Sequence, residues 1–432
     1  MDRQMGIDNC ERTIGYEPLP SQKEFHRSEA AFKGFSGPIG SGKSQALCHE
    51  AIRLSYKNPG RTGLIGAPTY PMLRDATLTS LTEVLDENEI PYEVNKANYV
   101  LTMQDTGSRV LLRAVDEFDR LRGTNLAWFG LDELTYTQEG AWLRLEGRLR
   151  DPKARIRCGF AVWTPKGFDW VYRKFIQNPA PGYSVTLAQP YENRFLLEQV
   201  PDFYERLKGS YDENFFRQEV LGDYLNQKGG LVYSAFSRET NLRRMSVDSG
   251  KPVCWAVDFN VDPMSSMVVQ MRNGEFFVLD EIVLRRASTE QACEEFERRF
   301  GIPRAGVVIF GDASGAAMQT SGFSDYQVIR KFFGSRNAKV TYRVPNANPR
   351  VRERVAAVNA KLRNVYGDVH LWVDPRCKEL IADFEQVAYK EESTEIDKDK
   401  DRRRTHLSDA LGYLICQESN PGTIGERGMR LF

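Results

Sequence analysis

The sequence predicts an α/β protein built from two successive sheet domains, and three observations carry that prediction. Residues Gly37 to Ser44 read Gly-Pro-Ile-Gly-Ser-Gly-Lys-Ser, a full G-x-x-x-x-G-K-[ST] loop between the apolar run Ala31 to Phe35 and the helix-like stretch Gln45 to Tyr56. Between Thr62 and Trp163, short apolar runs alternate with polar, helix-patterned stretches, as strands covered by helices require. Beyond residue 250 a new apolar run, Val253 to Val257, is followed by two more that are joined at Asn273-Gly274, the dipeptide of a tight hairpin.

Length and composition bound the reading. At 432 residues, and at about 150 residues per domain, two or three domains are expected, and 41% apolar content supplies their cores. Lys+Arg and Asp+Glu are both 59, so a nucleic-acid contact must come from local patches and not from net charge. The seven cysteines, at 10, 48, 158, 254, 293, 377 and 416, have no C-x-x-C spacing, which argues against a zinc site or a disulfide framework and for reduced thiols in a cytosolic protein. No apolar run is long enough to span a bilayer, so no membrane partner is expected.

The phosphate loop comes first in the chain. Glycines 37, 40 and 42 and the small Ser41 let backbone N–H groups approach an anion at the start of the following helix. Lys43 is the expected counter-charge to the β- and γ-phosphates of ATP, and the Ser44 hydroxyl a ligand for Mg²⁺. Further strands are predicted over Gly63 to Ala67, Arg109 to Val115, Ala127 to Leu131 and Gly159 to Trp163. The third of these ends in Asp132-Glu133, the pattern in which Asp132 orders the Mg²⁺ shell and Glu133 activates water. Gln22 lies upstream, where a Gln can read an adenine edge; an ordinary surface Gln fits the same position. Arg122, ten residues before Asp132, is the candidate cation for transition-state charge, offered from a neighbouring subunit, with a plain surface cation or DNA-phosphate contact as the alternative. Thr164, after the last strand, is a candidate sensor of the γ-phosphate or a simple turn residue.

The second half offers carboxylates in place of a phosphate loop. The strand at 253 ends at Asp258, the strand Ala305 to Phe310 ends at Gly311-Asp312, and a closing helix begins with Thr405-His406-Leu407-Ser408-Asp409-Ala410. His406 and Asp409, three residues apart, share a helix face. A strand and hairpin followed by α/β alternation is the layout of an RNase H-like sheet. Three carboxylates from two strand ends and a helix can bind two hard cations, Mg²⁺ or Mn²⁺, for phosphodiester cleavage. Asp258, Asp312 and Asp409 are therefore the expected catalytic ligands, with Asp262 and His406 as further metal candidates. From Arg330 to Arg363 ten Lys/Arg stand against the single acid Glu353, the best local candidate for a phosphate-binding surface, and the mixed-charge run Glu391 to Arg404 is expected to form a loop that approaches the metal site.

Together these motifs resemble the large terminase subunit of tailed bacteriophages over nearly the whole chain. The specific pieces are Gln22, Gly37 to Ser44, Leu121-Arg122-Gly123, Leu131-Asp132-Glu133, Thr164-Pro165-Lys166-Gly167 with Trp170, Pro190-Tyr191-Glu192-Asn193, Leu221-Gly222-Asp223-Tyr224, Asp258, Gly311-Asp312 and His406 to Ala410. The resemblance implies a P-loop ASCE-type ATPase domain over residues 1–225, with a lid at about 189–225, a linker at 226–250 and an RNase H-like nuclease domain at 251–432. It also implies a motor that pumps double-stranded DNA into a procapsid and cuts it at the start and end of packaging, in the host cytoplasm. Its partners would be a portal protein, a small terminase subunit and further copies of itself in a ring. Many relatives carry a basic residue early in the phosphate loop, where this chain has Pro38 and Ile39, which directs the search for an arginine finger to Arg122. Two other readings fit the residues: a cellular helicase or translocase joined to a nuclease, and a structural DNA-binding component with vestigial sites.

Overall fold

The computed structural model describes residues 14–116, 123–225, 230–260, 262–318, 322–390, 395–401 and 403–419. The chain divides into two compact units, one of residues 1–203 and 217–226, the other of 204–216 and 227–432. The segment 189–225 is thus shared, and the helix Glu213–Glu219 is itself cut by the division. The stretch 230–250 packs within the second unit, through backbone bridges from Leu231 to Ala388 and from Leu242 to Val373. No helix among the described residues is long and apolar enough to cross a membrane.

The first unit is built on eight strands: β1 (Phe32–Ser36), β2 (Thr62–Ala67), β3 (Tyr92–Asn95), β4 (Val100–Met103), β5 (Arg109–Ala114), β6 (Trp128–Leu131), β7 (Cys158–Trp163) and β8 (Tyr183–Leu187). Their order is β3-β4-β5-β2-β6-β7-β1-β8. The six from β5 to β8 run parallel, and the inner four, β2, β6, β7 and β1, are buried along nearly their whole length; β3 and β4 join antiparallel at one edge. One face buries Phe35, Leu47, Ile65 and Phe160, the other Phe129, Trp142, Trp163 and Phe175. β7 lies between the loop strand β1 and the Asp-Glu strand β6, the arrangement of an ASCE-type P-loop sheet.

The second unit holds β9 (Val253–Asp258), β10 (Met264–Arg272), β11 (Glu275–Leu284), β12 (Val307–Gly311), β13 (Val340–Arg343) and β14 (Leu371–Val373), in the order β13-β12-β9-β10-β11-β14. β9, β10 and β11 form an antiparallel meander, and β12 and β13 extend it in parallel from β9, which is RNase H-like topology. The β10–β11 turn has φ 54° at Asn273 and 82° at Gly274, both positive as a type I′ turn demands. The helix Thr289–Phe300 starts with a capping box in which Ser288 and Gln291 satisfy each other's backbone N–H groups. The helix His406–Ser419 buries Leu407, Ala410, Leu411 and Leu414 in the core that also holds Val355, Val358 and Phe310.

Candidate functional site

In the first unit the loop leaves β1 and enters the helix Lys43–Lys57. Gly40 and Gly42 adopt φ of 77° and 76°, and a Cβ on Gly42 would lie 2.4 Å from the Gln22 amide nitrogen, so no larger residue fits there. Lys43 is turned back onto the loop, its Nζ donating to the carbonyls of Pro38 at 2.9 Å and Gly37 at 3.1 Å. Burial lowers its pKa, against the opposing charges of Glu133, Glu219 and Asp132. Ser44 is exposed at the first turn of the helix.

Asp132 and Glu133 follow β6 directly. Asp132 is buried and accepts a 2.7 Å hydrogen bond from the Thr77 hydroxyl. Its carboxyl is pushed up to about 6, by burial first and by the adjacent Glu133 second. Glu133 has φ 47°, a left-handed conformation that costs a side-chain-bearing residue energy and re-aims it at the strand end. Its buried Oε2 has no hydrogen-bond partner among the described residues, an arrangement suited to accepting a proton from water.

Gln22 is buried with both ends of its amide used, Oε1 accepting from Leu19 N–H at 2.8 Å and Nε2 donating to the Gly42 carbonyl at 2.8 Å. It touches the phosphate loop directly. Thr164 is buried just beyond β7, and its carbonyl accepts from the Thr135 hydroxyl at 3.2 Å. Arg122 lies outside the described residues.

Around the loop stand residues to which the sequence assigns no individual role beyond a place in the lid at about 189–225. Asn193 donates to the Gly40 carbonyl at 2.6 Å, and Glu192 accepts from the Ser21 hydroxyl at 2.7 Å and its N–H at 2.9 Å. The Ile39 N–H donates to the Glu219 carbonyl at 2.6 Å. The Tyr224 hydroxyl bonds Ser36 Oγ at 2.6 Å and accepts from the Trp163 indole at 2.9 Å. In the sequence Tyr191 to Asn193 and Leu221 to Tyr224 stand out only as motifs; Thr77 gives no signal at all.

In the second unit Asp258 ends β9 and Asp312 follows β12, which pairs parallel to it, so the two carboxylates emerge at the same sheet edge. Asp312 caps the turn Ala313–Ala316, accepting from Gly315 N–H at 3.3 Å and the Ser314 hydroxyl at 2.5 Å. Burial raises its pKa, the Ser314 bond opposes this, and the charge of Asp258 adds to it. Asp258 Oδ2 accepts from Asn260 at 2.6 Å and meets His406 Nδ1 at 2.9 Å.

Asp409 lies one turn along from His406 and is bound on both oxygens by cations: Arg354 Nη2 is 2.7 Å from Oδ1, and Lys398 Nζ is 3.3 Å from Oδ2. All three carboxylates act on the nearby Tyr413 hydroxyl, whose pKa burial pushes up to about 12, with Arg354 opposing and Asp409, Asp258 and Asp312 adding. They face one region, but no three Asp, Glu, His or Cys side chains among the described residues gather as one metal-ligand set. The oxygen donors of Asp258 and Asp312 suit a hard divalent ion, while Asp409 is committed to its cations. Asp262 is exposed and paired with Arg285 at 3.4 Å.

The basic stretch Arg330 to Arg363 is not one free surface. Arg336 pairs with Glu297 at 2.7 Å, Arg343 pairs with Glu418, and Arg354 is buried against Asp409. The mixed-charge run does reach the site, through Lys398; its residues 391–394 and 402 lie outside the described residues.

Among known proteins, the family described as terminase large subunit, T4likevirus-type, N-terminal, matches residues 35–239. The terminase large subunit of Thermus phage G20c is 27% identical over 231 residues, 49% of this chain and 46% of that protein. The PBSX phage terminase large subunit of Bacillus subtilis (strain 168) is 23% identical over 209 residues, 47% of this chain and 46% of that one. The chain thus spans about half the length of the curated relatives it matches. The large terminase of a thermophilic bacteriophage has the same fold, with a TM-score of 0.70 at 16% identity over 92% of this chain and 98% of that one. The structure of that large terminase in complex with ATP-gamma-S gives the same TM-score and coverage. The matched region runs from the phosphate loop past Asp132-Glu133, just under half of the chain, and over it the chain is similar to the terminase large subunits.

Proposed function

We propose that the chain is a DNA-packaging motor that hydrolyses ATP in its first domain and cuts double-stranded DNA in its second. The observation that carries the reading is Glu133: a carboxylate with a partnerless buried oxygen, held at a strained strand end next to Asp132, in a domain with a complete phosphate loop. Domain boundaries of 1–225, 226–250 and 251–432 belong to this reading.

In the ATPase site, Lys43 leaves the Gly37 and Pro38 carbonyls to neutralise phosphate charge, and Glu133 takes the proton of the attacking water. Ser44 and Asp132 would hold Mg²⁺, which supplies charge neutralisation between phosphate oxygens when bound. Gln22 and Asn193 keep the loop carbonyls of Gly42 and Gly40 pointed away from the anion. Thr164 senses the γ-phosphate, and Arg122 from a neighbouring copy is the transition-state cation. In the nuclease site, Asp258 and Asp312 would hold Mg²⁺ or Mn²⁺, which Asp409 would join on leaving one of its cations, while His406 orients Asp258. Double-stranded DNA, a portal protein, a small terminase subunit and a ring of copies on the procapsid are the proposed partners, in the host cytoplasm.

Two variants of the full chain test the two engines. Lys43→Ala is expected to abolish ATP hydrolysis and leave metal-dependent DNA cutting, and Asp312→Ala to do the reverse. Loss of both activities in each folded variant rejects the assignment of two separate sites.

A further inference from the structure

Asp409 stands between two cations of different character. Arg354 is 5% exposed, lies across the ring of Tyr413 at 4.6 Å and contacts Oδ1 at 2.7 Å. Lys398 reaches Oδ2 at 3.3 Å from the stretch 395–401, and its side chain is 55% exposed. A buried arginine that is hydrogen-bonded and stacked is costly to remove, whereas a half-exposed lysine on a flexible stem holds its carboxylate weakly. Asp258 and Asp312 carry no such Lys or Arg partner among the described residues: their contacts are Asn260 and His406, and Ser314 and the Gly315 N–H.

We infer that Lys398 is a built-in competitor for the divalent cation: it occupies Asp409 Oδ2 and must give it up before that carboxylate can join Asp258 and Asp312 as a ligand. The inference rests on reading these carboxylates as the nuclease metal site. Arg354 stays in place throughout and keeps Asp409 aimed at the site through Oδ1, so that only one oxygen is exchanged. Loading of the third ligand is thereby coupled to the position of residues 395–401, the part of the mixed-charge run that reaches the site.

The test is Mn²⁺ binding to the full chain, measured by titration calorimetry at low ionic strength without DNA or nucleotide. Asp312→Asn serves as the blank for ions bound elsewhere. Lys398→Met is expected to bind Mn²⁺ about two- to five-fold more tightly than the unaltered chain, the scale of a half-exposed ion pair. Lys398→Arg, which keeps the pairing, and Lys400→Met, which removes a charge from the same stretch without touching the pair, are both expected to match the unaltered chain. Binding that appears only in Lys398→Met supports the inference in its strongest form. Equal affinity in Lys398→Met and the unaltered chain overturns it while leaving the metal site standing, and so does an equal gain in Lys400→Met. Absence of Asp312-dependent binding in every variant overturns both the inference and the nuclease reading.

Discussion

Arg354 and Asp409 form a buried ion pair, 2.7 Å from Nη2 to Oδ1, and Gly412 is what gives the arginine its path. A Cβ on residue 412 would lie 2.2 Å from Arg354 Cγ and 2.7 Å from its Cδ. Asp409 and Gly412 are one helical turn apart, so the same face carries the acid and the groove for its partner's stem. Arg354→Met leaves a buried carboxylate with only Lys398, and a loss of about 3 kcal/mol in unfolding free energy is expected, read from the urea midpoint. Gly412→Ala is expected to move stability in the same direction. Both variants should lose DNA cutting and retain ATP hydrolysis.

Glu133→Gln removes a proton acceptor and changes little else in shape. The partnerless Oε2 becomes an amide or its oxygen, so ATP turnover is expected to fall about 10²- to 10⁴-fold, the usual contribution of a general base. ATP binding, followed by fluorescence of a nucleotide analogue, should persist because Gly37 to Ser44 are untouched. Unchanged turnover would move the base elsewhere.

These two sites differ in how far the sequence discloses them. The loop, Asp132-Glu133, Asp258, Gly311-Asp312 and the Asn273-Gly274 turn are legible because each is a local pattern: glycines where φ is positive, acids where an apolar run stops. Arg354 is not legible in that way. In the sequence it falls among surface cations, because its neighbours along the chain do not reveal which side of the helix Val351–Leu362 is buried; Val355, Val358 and Leu362 at helical spacing are the available signal. β3, β4 and β8 escape prediction for a different reason. β3 and β8 are half-exposed edge strands with mixed patterns, and the apolar run of β4 is broken by the half-buried Thr102. Gln22 lies beside the phosphate loop as its place in the chain suggests, but its two hydrogen bonds to Leu19 and Gly42 depend on a close approach that only the folded chain provides.

Glu50 gives the first unit a defined acid limb of stability. It is fully buried and accepts from Arg53 at 2.6 Å, His26 at 2.7 Å and Lys33 at 2.9 Å. Burial alone would raise its carboxyl, but the hydrogen bonds from His26 and Arg53 and the charges of Lys33 and Arg53 outweigh this and hold it at about 2, below the ordinary 4.5. A depressed carboxyl stabilises the fold above its unfolded value, so this contribution is present at neutral pH and is lost as pH falls from about 4.5 toward 2. Denaturant midpoints should drop through that window, and Glu50→Gln should flatten the drop. At neutral pH the same variant leaves Lys33 buried with the carbonyls of Phe25 and Ser28 as its acceptors, for a loss of about 3 kcal/mol.

Tyr224 ties two strand ends together at the phosphate loop. Its hydroxyl accepts from the Trp163 indole at 2.9 Å and pairs with Ser36 Oγ at 2.6 Å, and Ser36 immediately precedes Gly37. Trp163 and Ser36 are both buried, so Tyr224→Phe leaves a donor and a hydroxyl without their partner and should cost about 1 to 3 kcal/mol. The ring itself still packs 5.0 Å from Tyr172, so the segment should stay in place and only its polar link be lost. Because that link positions the loop before any chemistry occurs, the expected kinetic signature is a raised KM for ATP with kcat little changed. Steady-state ATP hydrolysis alongside thermal unfolding separates the outcomes. A fall in kcat at constant KM would mean that the Tyr224 hydroxyl acts in the hydrolysis step, and an unchanged melting temperature would mean that the two buried groups find other partners when it is removed.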